Sequence, residues 1–163
     1  MREPAGPDLW PCGLVAIYRE GYADFVRLAY LLCGSRELAE EAVQDAFVAV
    51  RGRWDDITTS EGGYVRTAVV HQVYQRQRRT QTARKHEFHQ HRQEASATPS
   101  TTRAEIADVL DRLSWPQRVA VVARYWLDFR DEEIAELLGC RPATVRSHLL
   151  RGLSVLRKEL DPK

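Results

Sequence analysis

The sequence lacks the patterns that define secreted and membrane-inserted proteins. Its three cysteines, Cys12, Cys33 and Cys140, are scattered and form no CxxC pair, which indicates reduced, mostly buried thiols rather than a disulfide framework. No apolar run approaches the roughly 20 residues of a membrane span. The N-terminus has no long apolar core of the kind found in signal peptides. We therefore expect a cytoplasmic protein without membrane insertion.

Signatures of catalysis and of cofactor binding are also missing. The sequence contains no GxxxxGK[ST] phosphate-binding loop, and Cys33 lies in an apolar run rather than beside a base. Three histidines, His86, His89 and His91, have a spacing that metal ligands can show. No cysteine accompanies them and their segment offers no rigid scaffold, so solvated histidines are the better interpretation. We expect neither an enzyme nor a protein that needs a cofactor or a metal.

Charge is distributed in blocks, although the formal net charge of the chain is only +1. Residues 1–60 hold six basic side chains against ten acidic ones, and residues 61–103 hold eight against three. Cys140–Lys158 contains five basic side chains and no acid. This alternation predicts a surface that meets a polyanion at some places and a protein at others.

Helical periodicity dominates the chain, and strand signals are weak. Residues 80–102 are almost free of apolar side chains and end in Ser, Thr, Ala and Pro, so they cannot bury enough surface to offset chain entropy. We predict an all-α fold of two small helical domains, residues 14–79 and 103–160, joined by a flexible linker over residues 80–102.

The predicted helices follow from this periodicity. Ile106 and Trp126 are expected on the inward faces of their helices. The expected bounds are Arg36 to about Trp54, Gly63 or Tyr64 to about Arg79, a start at Trp115-Pro116, Arg130 to Leu138, and Pro142 to about Leu160.

The last two helices have the pattern of a helix-turn-helix. Gly139 can take the positive φ of a tight turn, and Pro142 starts the next helix with its φ already set. Acidic side chains on the shorter helix should face away from DNA, because phosphates would repel them. Arginines can donate two hydrogen bonds to guanine, and hydroxyls reach bases or phosphates. The outward residues of the longer helix are Thr144, Ser147, Arg151, Ser154 and Lys158, and Arg146 lies on the flank of this face.

The N-terminal half combines an acidic helix with a basic, aromatic one. The segment YVRTAVVHQVYQRQRR mixes arginines with aromatic groups, which suits unpaired bases and a phosphate backbone. Tyr64 and Tyr74 fit such a surface and fit a core position equally well. From composition alone, the acids of the preceding helix are a solvated face.

Together these segments resemble the compact sigma factors of bacterial RNA polymerase called extracytoplasmic-function (ECF) sigma factors, close to the sigma-E-like subgroup. The matching stretches are AYLLCGSRELAEEAVQDAFVAVRGRW, GGYVRTAVVHQVYQRQRR and LDRLSWPQRVAVVARYWLDFRDEEIAELLGCRPATVRSHLLRGLSVLRKEL. The resemblance implies sigma region 2 in the first domain and region 4 in the second. It implies a protein that binds core RNA polymerase and directs promoter-specific initiation, with promoter DNA and an optional anti-sigma protein as further partners.

The resemblance also implies roles for particular residues. Glu41, Gln44 and Asp45 would bind the clamp helices of the largest polymerase subunit. His71 stands where many members have Asn, and His148 where Arg or Lys is frequent. The −35 element would be contacted by Thr144, Arg146, Ser147, Leu150 and Arg151. The −10 element would be contacted by Tyr64, Arg66, His71, Tyr74, Arg76, Arg78 and Arg79.

Three other classes of protein remain as alternatives. A conventional regulator with an N-terminal sensor lobe would need a ligand pocket and a dimer contact, and the sequence shows neither a Gly-rich loop nor a dimer heptad. A small helical enzyme would need a catalytic cluster. A purely protein-binding module would keep promoter activity when Arg146 and Arg151 are replaced.

Overall fold

The computed structural model describes residues 9–84 and 101–161, and the side chains of residues 81–84 and 101–104 are not described. These residues form helices without a strand, which confirms the predicted all-α fold. The helices are α1 (Cys12–Cys33), α2 (Arg36–Arg51), α3 (Glu61–Arg84), α4 (Thr101–Leu110), α5 (Trp115–Tyr125), α6 (Asp131–Leu138) and α7 (Pro142–Leu160), with a 3-10 turn at Trp54–Asp56.

Backbone contacts divide the chain into two compact units. Of the described residues, 9–29 and 37–84 belong to the first. Residues 30–36 and 101–161 belong to the second, so the last turn of α1 groups with the C-terminal helices. The bounds 14–79 and 103–160 of the two functional domains stay a prediction.

In the first unit, the apolar faces of α1, α2 and α3 form the core. Phe47 on α2 is 1% exposed and meets the rings of Tyr18 and Phe25 edge-on, with centroids 5.0 and 5.5 Å apart. Such edge-to-face pairs add to the free energy of simple burial. The valines of α3 complete this core: Val65, Val69, Val70 and Val73.

In the second unit, α7 packs against α5 and α6. Val145 of α7 is fully buried in a cluster with Ala120, Ala123, Ile134 and Ala135. Gly152, about two helical turns further along α7, is also buried, and a Cβ there would lie 3.0 Å from Cγ2 of Val121. The missing side chain therefore allows α7 to approach α5 closely.

Arg118 on α5 is the one charged residue that is buried among those whose side chains the structure describes. Its Nε donates to the carbonyl of Leu110 at 2.8 Å, and its Nη1 donates to the carbonyl of Leu32, in the same unit, at 2.7 Å. Its Nη2 pairs with Asp111. Burial of the guanidinium is tolerated because three of its donors find acceptors.

Several predicted helix bounds shift. α2 ends at Arg51, and α3 begins at Glu61, where the hydroxyl of Ser60 accepts from the backbone N–H of Gly63 at 3.3 Å. α3 continues to Arg84, so the first five residues of the predicted linker are helical. The histidines at positions 86, 89 and 91 lie outside the described residues.

Two predicted core residues and one cysteine are more exposed than expected. Ile106 is 47% exposed because the inner face of α4 is formed by its neighbour Ala107 and by Leu110. Trp126 is 50% exposed because α5 ends before it and the chain turns. Cys12 is exposed, which corrects the expectation of mostly buried thiols.

Replacing Arg118 by Met should lower the free energy of unfolding by about 1 to 3 kcal/mol, because two buried carbonyls lose their charged donor. Urea denaturation followed by circular dichroism measures this difference. Arg112→Met is the matched control, since Arg112 is 61% exposed and makes only a surface pair with Glu159 at 3.3 Å. Equal losses in the two variants would contradict a structural role for the buried arginine.

Candidate nucleic-acid interface

A tight turn joins α6 to α7. Gly139 has φ +63° and ends α6, and the N–H of Cys140 donates back to the carbonyl of Ala135 at 3.0 Å. Arg141 is extended, and Pro142 is the first residue of α7. The carbonyl of Arg141 then accepts from the backbone N–H groups of Thr144 and Val145 at 2.9 and 3.1 Å. The turn predicted at Gly139 and the helix start predicted at Pro142 are both confirmed.

α7 is amphipathic in the way that its sequence predicts. Val145 is fully buried, and Leu149 and Leu153 are half-buried on the same side. Leu150 is 71% exposed, which is unusual for a large aliphatic side chain and puts an apolar group among the cations. The predicted DNA-contacting residues of α7 are all exposed: Thr144, Arg146, Ser147, Leu150 and Arg151.

One acid of α6 contacts this cationic face. Oδ2 of Asp131 accepts from Nη1 of Arg146 at 3.2 Å, and Oδ1 accepts from Nη2 of Arg124 on α5. The other three acids of α6 are exposed: Glu132, Glu133 and Glu136. The prediction that the α6 acids face away from DNA stays a prediction, but Asp131 lies against Arg146, a residue predicted to contact DNA. Helical spacing cannot reveal this pair, because it depends on how α6 and α7 are rotated against each other.

α2 carries the second predicted interface. Glu41, Gln44 and Asp45 are exposed, and Val48 beside them is 60% exposed. These four positions have the spacing i, i+3, i+4 and i+7, so they form one stripe along the helix. Sequence reasoning missed Val48, although an apolar residue at this spacing from the acids was the available signal. An acidic stripe with an apolar end suits a protein partner with basic side chains better than DNA.

Arg76 of α3 lies against this acidic stripe. Its Nη1 is 2.5 Å from Oε2 of Glu41, and its Nη2 is 2.5 Å from Oδ2 of Asp45. A residue predicted to contact DNA and two residues predicted to contact polymerase are thus brought together. The arginine holds both carboxylates on the exposed side of α2 and joins α2 to α3.

The remaining predicted −10 residues lie along α3, where Val65, Val69 and Val73 take the inward face. Tyr64 is half-buried and Tyr74 is 40% exposed, so neither tyrosine is a fully buried core residue. The exposed members of the set are Arg66, His71, Tyr74, Arg78 and Arg79. This face combines cations with an accessible aromatic ring, which single-stranded nucleic acid requires.

Burial raises the pKa of the Cys33 thiol, whose Sγ donates to the carbonyl of Ser35 at 3.2 Å, so the nucleophilic thiolate is disfavoured. Within residues 9–84 and 101–161, no group of three or more potential ligands is placed to hold a metal ion. No described helix combines the length and apolar character needed to cross a bilayer.

The turn, the buried face of α7 and its outward arginines define a helix-turn-helix of the DNA-binding class. Residues 103–156 match the family model described as Sigma-70, region 4. The RNA polymerase sigma-E factor of Streptomyces avermitilis is 31% identical over 129 residues, which is 77% of this chain and 72% of that protein. The chain belongs to the sigma-E-like ECF sigma factors.

Solved structures show the same fold at lower identity. The sigma factor RpoE of Bartonella quintana, solved in complex with the anti-sigma factor NepR, is 18% identical with a TM-score of 0.72. The similarity covers 91% of this chain and 96% of that one. CnrH, solved with the cytosolic domain of CnrY, is 18% identical with a TM-score of 0.64, over 91% and 87% of the two chains.

Replacing Arg76 by Gln should lower the free energy of unfolding by up to about 1 kcal/mol, because two partly exposed carboxylates lose their shared cation. The loss should shrink in 1 M salt, where the pairs are screened. Urea denaturation at low and high salt measures both effects. Arg79→Gln removes the same charge from an exposed position one turn away and should change stability little. A salt-independent loss would contradict the ion-pair explanation.

Proposed function

We propose that this sigma factor reads the promoter −35 element with α7, holds the unpaired −10 strand along α3, and binds core RNA polymerase through the acidic stripe of α2. The observation that carries the proposal is the outward face of α7. Arg146, Ser147 and Arg151 are exposed opposite the fully buried Val145, within the part of the chain that matches sigma region 4.

Reading of the −35 element rests on major-groove chemistry. The first turns of α7 present two arginines and a hydroxyl, and arginine pairs with the O6 and N7 acceptors of guanine. Leu150 adds an exposed apolar group, which can contact a thymine methyl group. Arg157 and Lys158, both exposed near the end of α7, suit phosphates rather than bases.

Holding of the −10 strand rests on the exposed side of α3. Unstacking a base costs a few kcal/mol, which stacking on an aromatic ring and contacts with cations can offset. Tyr74 offers such a ring, and Arg66, Arg78 and Arg79 offer charge for the strand backbone. His71 is exposed on the same helix and would influence which base is captured.

Binding of polymerase rests on Glu41, Gln44, Asp45 and Val48. The two carboxylates are fixed by Arg76, so less side-chain entropy is lost when a partner docks. In this scheme the polymerase catalyses RNA synthesis and the sigma factor supplies specificity without an active site of its own. It would act where polymerase meets the chromosome, in the cytoplasm.

An anti-sigma protein is a further proposed partner. The related RpoE of Bartonella quintana was solved with such a protein, NepR. The same exposed surfaces that would contact polymerase and promoter are the surfaces that an inhibitor has to cover.

Promoter recognition tests the role of α7. Arg146→Ala and Arg151→Ala should each reduce transcription from a −35-dependent promoter by about tenfold or more, because each removes a base contact. Reconstituted transcription with core polymerase measures this, and the start sites identify the promoter. Lys158→Ala is the control and should weaken binding equally for all sequences. Unchanged promoter activity in both arginine variants would favour a purely protein-binding module.

Association with core polymerase tests the role of α2. Gln44→Lys should weaken association at least about tenfold, because it puts a cation into an acidic stripe without breaking the Arg76 pairs. Fluorescence anisotropy of the labelled chain, titrated with core polymerase, measures the affinity. Glu20→Gln changes the net charge by the same amount at an exposed position of α1 and should leave the affinity unchanged. Equal affinities for the two variants would exclude this surface.

A further inference from the structure

The carboxylate of Asp131, on α6, pairs with two arginines, Arg124 on α5 and Arg146 near the start of α7. Its Oδ2 lies 3.2 Å from Nη1 of Arg146, and its Oδ1 pairs with Nη2 of Arg124. We propose that Asp131 is a positioning residue, which fixes the direction of the Arg146 side chain and thereby determines how sharply that arginine discriminates between base pairs. This inference rests on the proposed reading of DNA by α7.

Arg146 is a long side chain that would otherwise move freely. Its side chain is 61% exposed, and an unrestrained arginine samples many rotamers. Asp131 contacts this guanidinium only through its Nη1 atom. The other N–H groups remain available for a forked contact with a guanine edge, which requires a defined orientation. A partial restraint of this kind lowers the entropy lost when the base contact forms.

Asp131 is itself held in place and cannot follow Arg146 as it moves. Its side chain is 19% exposed, and it is the first residue of α6, where a carboxylate interacts favourably with the helix dipole. Arg124 holds the second oxygen from α5, and its own side chain is 32% exposed. The ion pairs of Asp131 with Arg124 and Arg146, called the bridge below, therefore link α5, α6 and α7. The orientation of Arg146 depends on all three helices and not on α7 alone.

A carboxylate beside a DNA-binding arginine has an opposing effect on affinity. It repels nearby phosphates, so its presence should weaken binding to every sequence. A fixed arginine, by contrast, gains only at the base pair that it fits. The arrangement therefore favours specificity over affinity. If Asp131 only masked Arg146, removing its charge would sharpen discrimination instead of reducing it.

Four variants test the proposal in the full-length protein, reconstituted with core polymerase on promoters that carry single base-pair changes in the −35 element. They are Asp131→Asn, Glu132→Gln, Arg146→Ala and the double variant of Asp131→Asn with Arg146→Ala. Glu132 is exposed on the same turn of α6, so Glu132→Gln removes an equal charge without touching Arg146.

Asp131→Asn should reduce discrimination at the base pair read by Arg146 by about fivefold to tenfold, because the guanidinium is no longer oriented for its base contact. Glu132→Gln should leave discrimination unchanged. In the Arg146→Ala background, Asp131→Asn should have no further effect on discrimination. A fifth variant, Arg124→Lys, replaces Asp131→Asn if the latter does not fold. It keeps the charge but loosens the contact with Asp131, and it should also lower discrimination.

Three results would overturn the proposal: equal discrimination by Asp131→Asn and Glu132→Gln, an equal effect of Asp131→Asn with and without Arg146, or sharper discrimination in Asp131→Asn. The last result would mean that Asp131 masks the arginine. If Arg146→Ala itself leaves discrimination intact, the proposed −35 role of this arginine fails, which is a separate outcome from failure of the bridge.

Discussion

Burial of the apolar face of α7 is the constraint on which the nucleic-acid surface depends. Val145 is fully enclosed by residues of α5 and α6, and Gly152 lets α7 approach Val121. Rotating α7 to hide its arginines would expose Val145 and bury charge, and burial of an unpaired charge is far more costly than exposure of a valine. Packing therefore fixes which side of the helix meets solvent, and that side carries Arg146 and Arg151.

Charged side chains in this protein act between helices as much as toward partners. Arg76 connects α3 to two acids of α2, and Asp131 connects α6 to arginines of α5 and α7. Partly exposed pairs of this kind add little stability. Their larger effect is on orientation, because a paired side chain presents its remaining polar atoms in a restricted direction. The same contacts can thus join helices and prepare a surface for docking.

The three proposed surfaces, on α2, α3 and α7, suit two kinds of partner. An acidic stripe with an apolar end suits a protein partner, and cationic faces with a hydroxyl or an aromatic ring suit nucleic acid. The half-buried Cys33 thiol has a raised pKa, which disfavours nucleophilic attack by this side chain. These surfaces are of the kind that would connect core RNA polymerase to promoter DNA.

The sequence by itself determined the helices, the turn at Gly139 and the outward face of α7, because helix periodicity and turn chemistry act over a few residues. The acidic or basic character of each segment can be counted directly from the sequence. The tertiary structure alone decided that Arg76 pairs with Glu41, 35 positions away, and that Asp131 joins Arg146. Pairs of this kind depend on the rotation and register of packed helices, and no spacing along one helix records them.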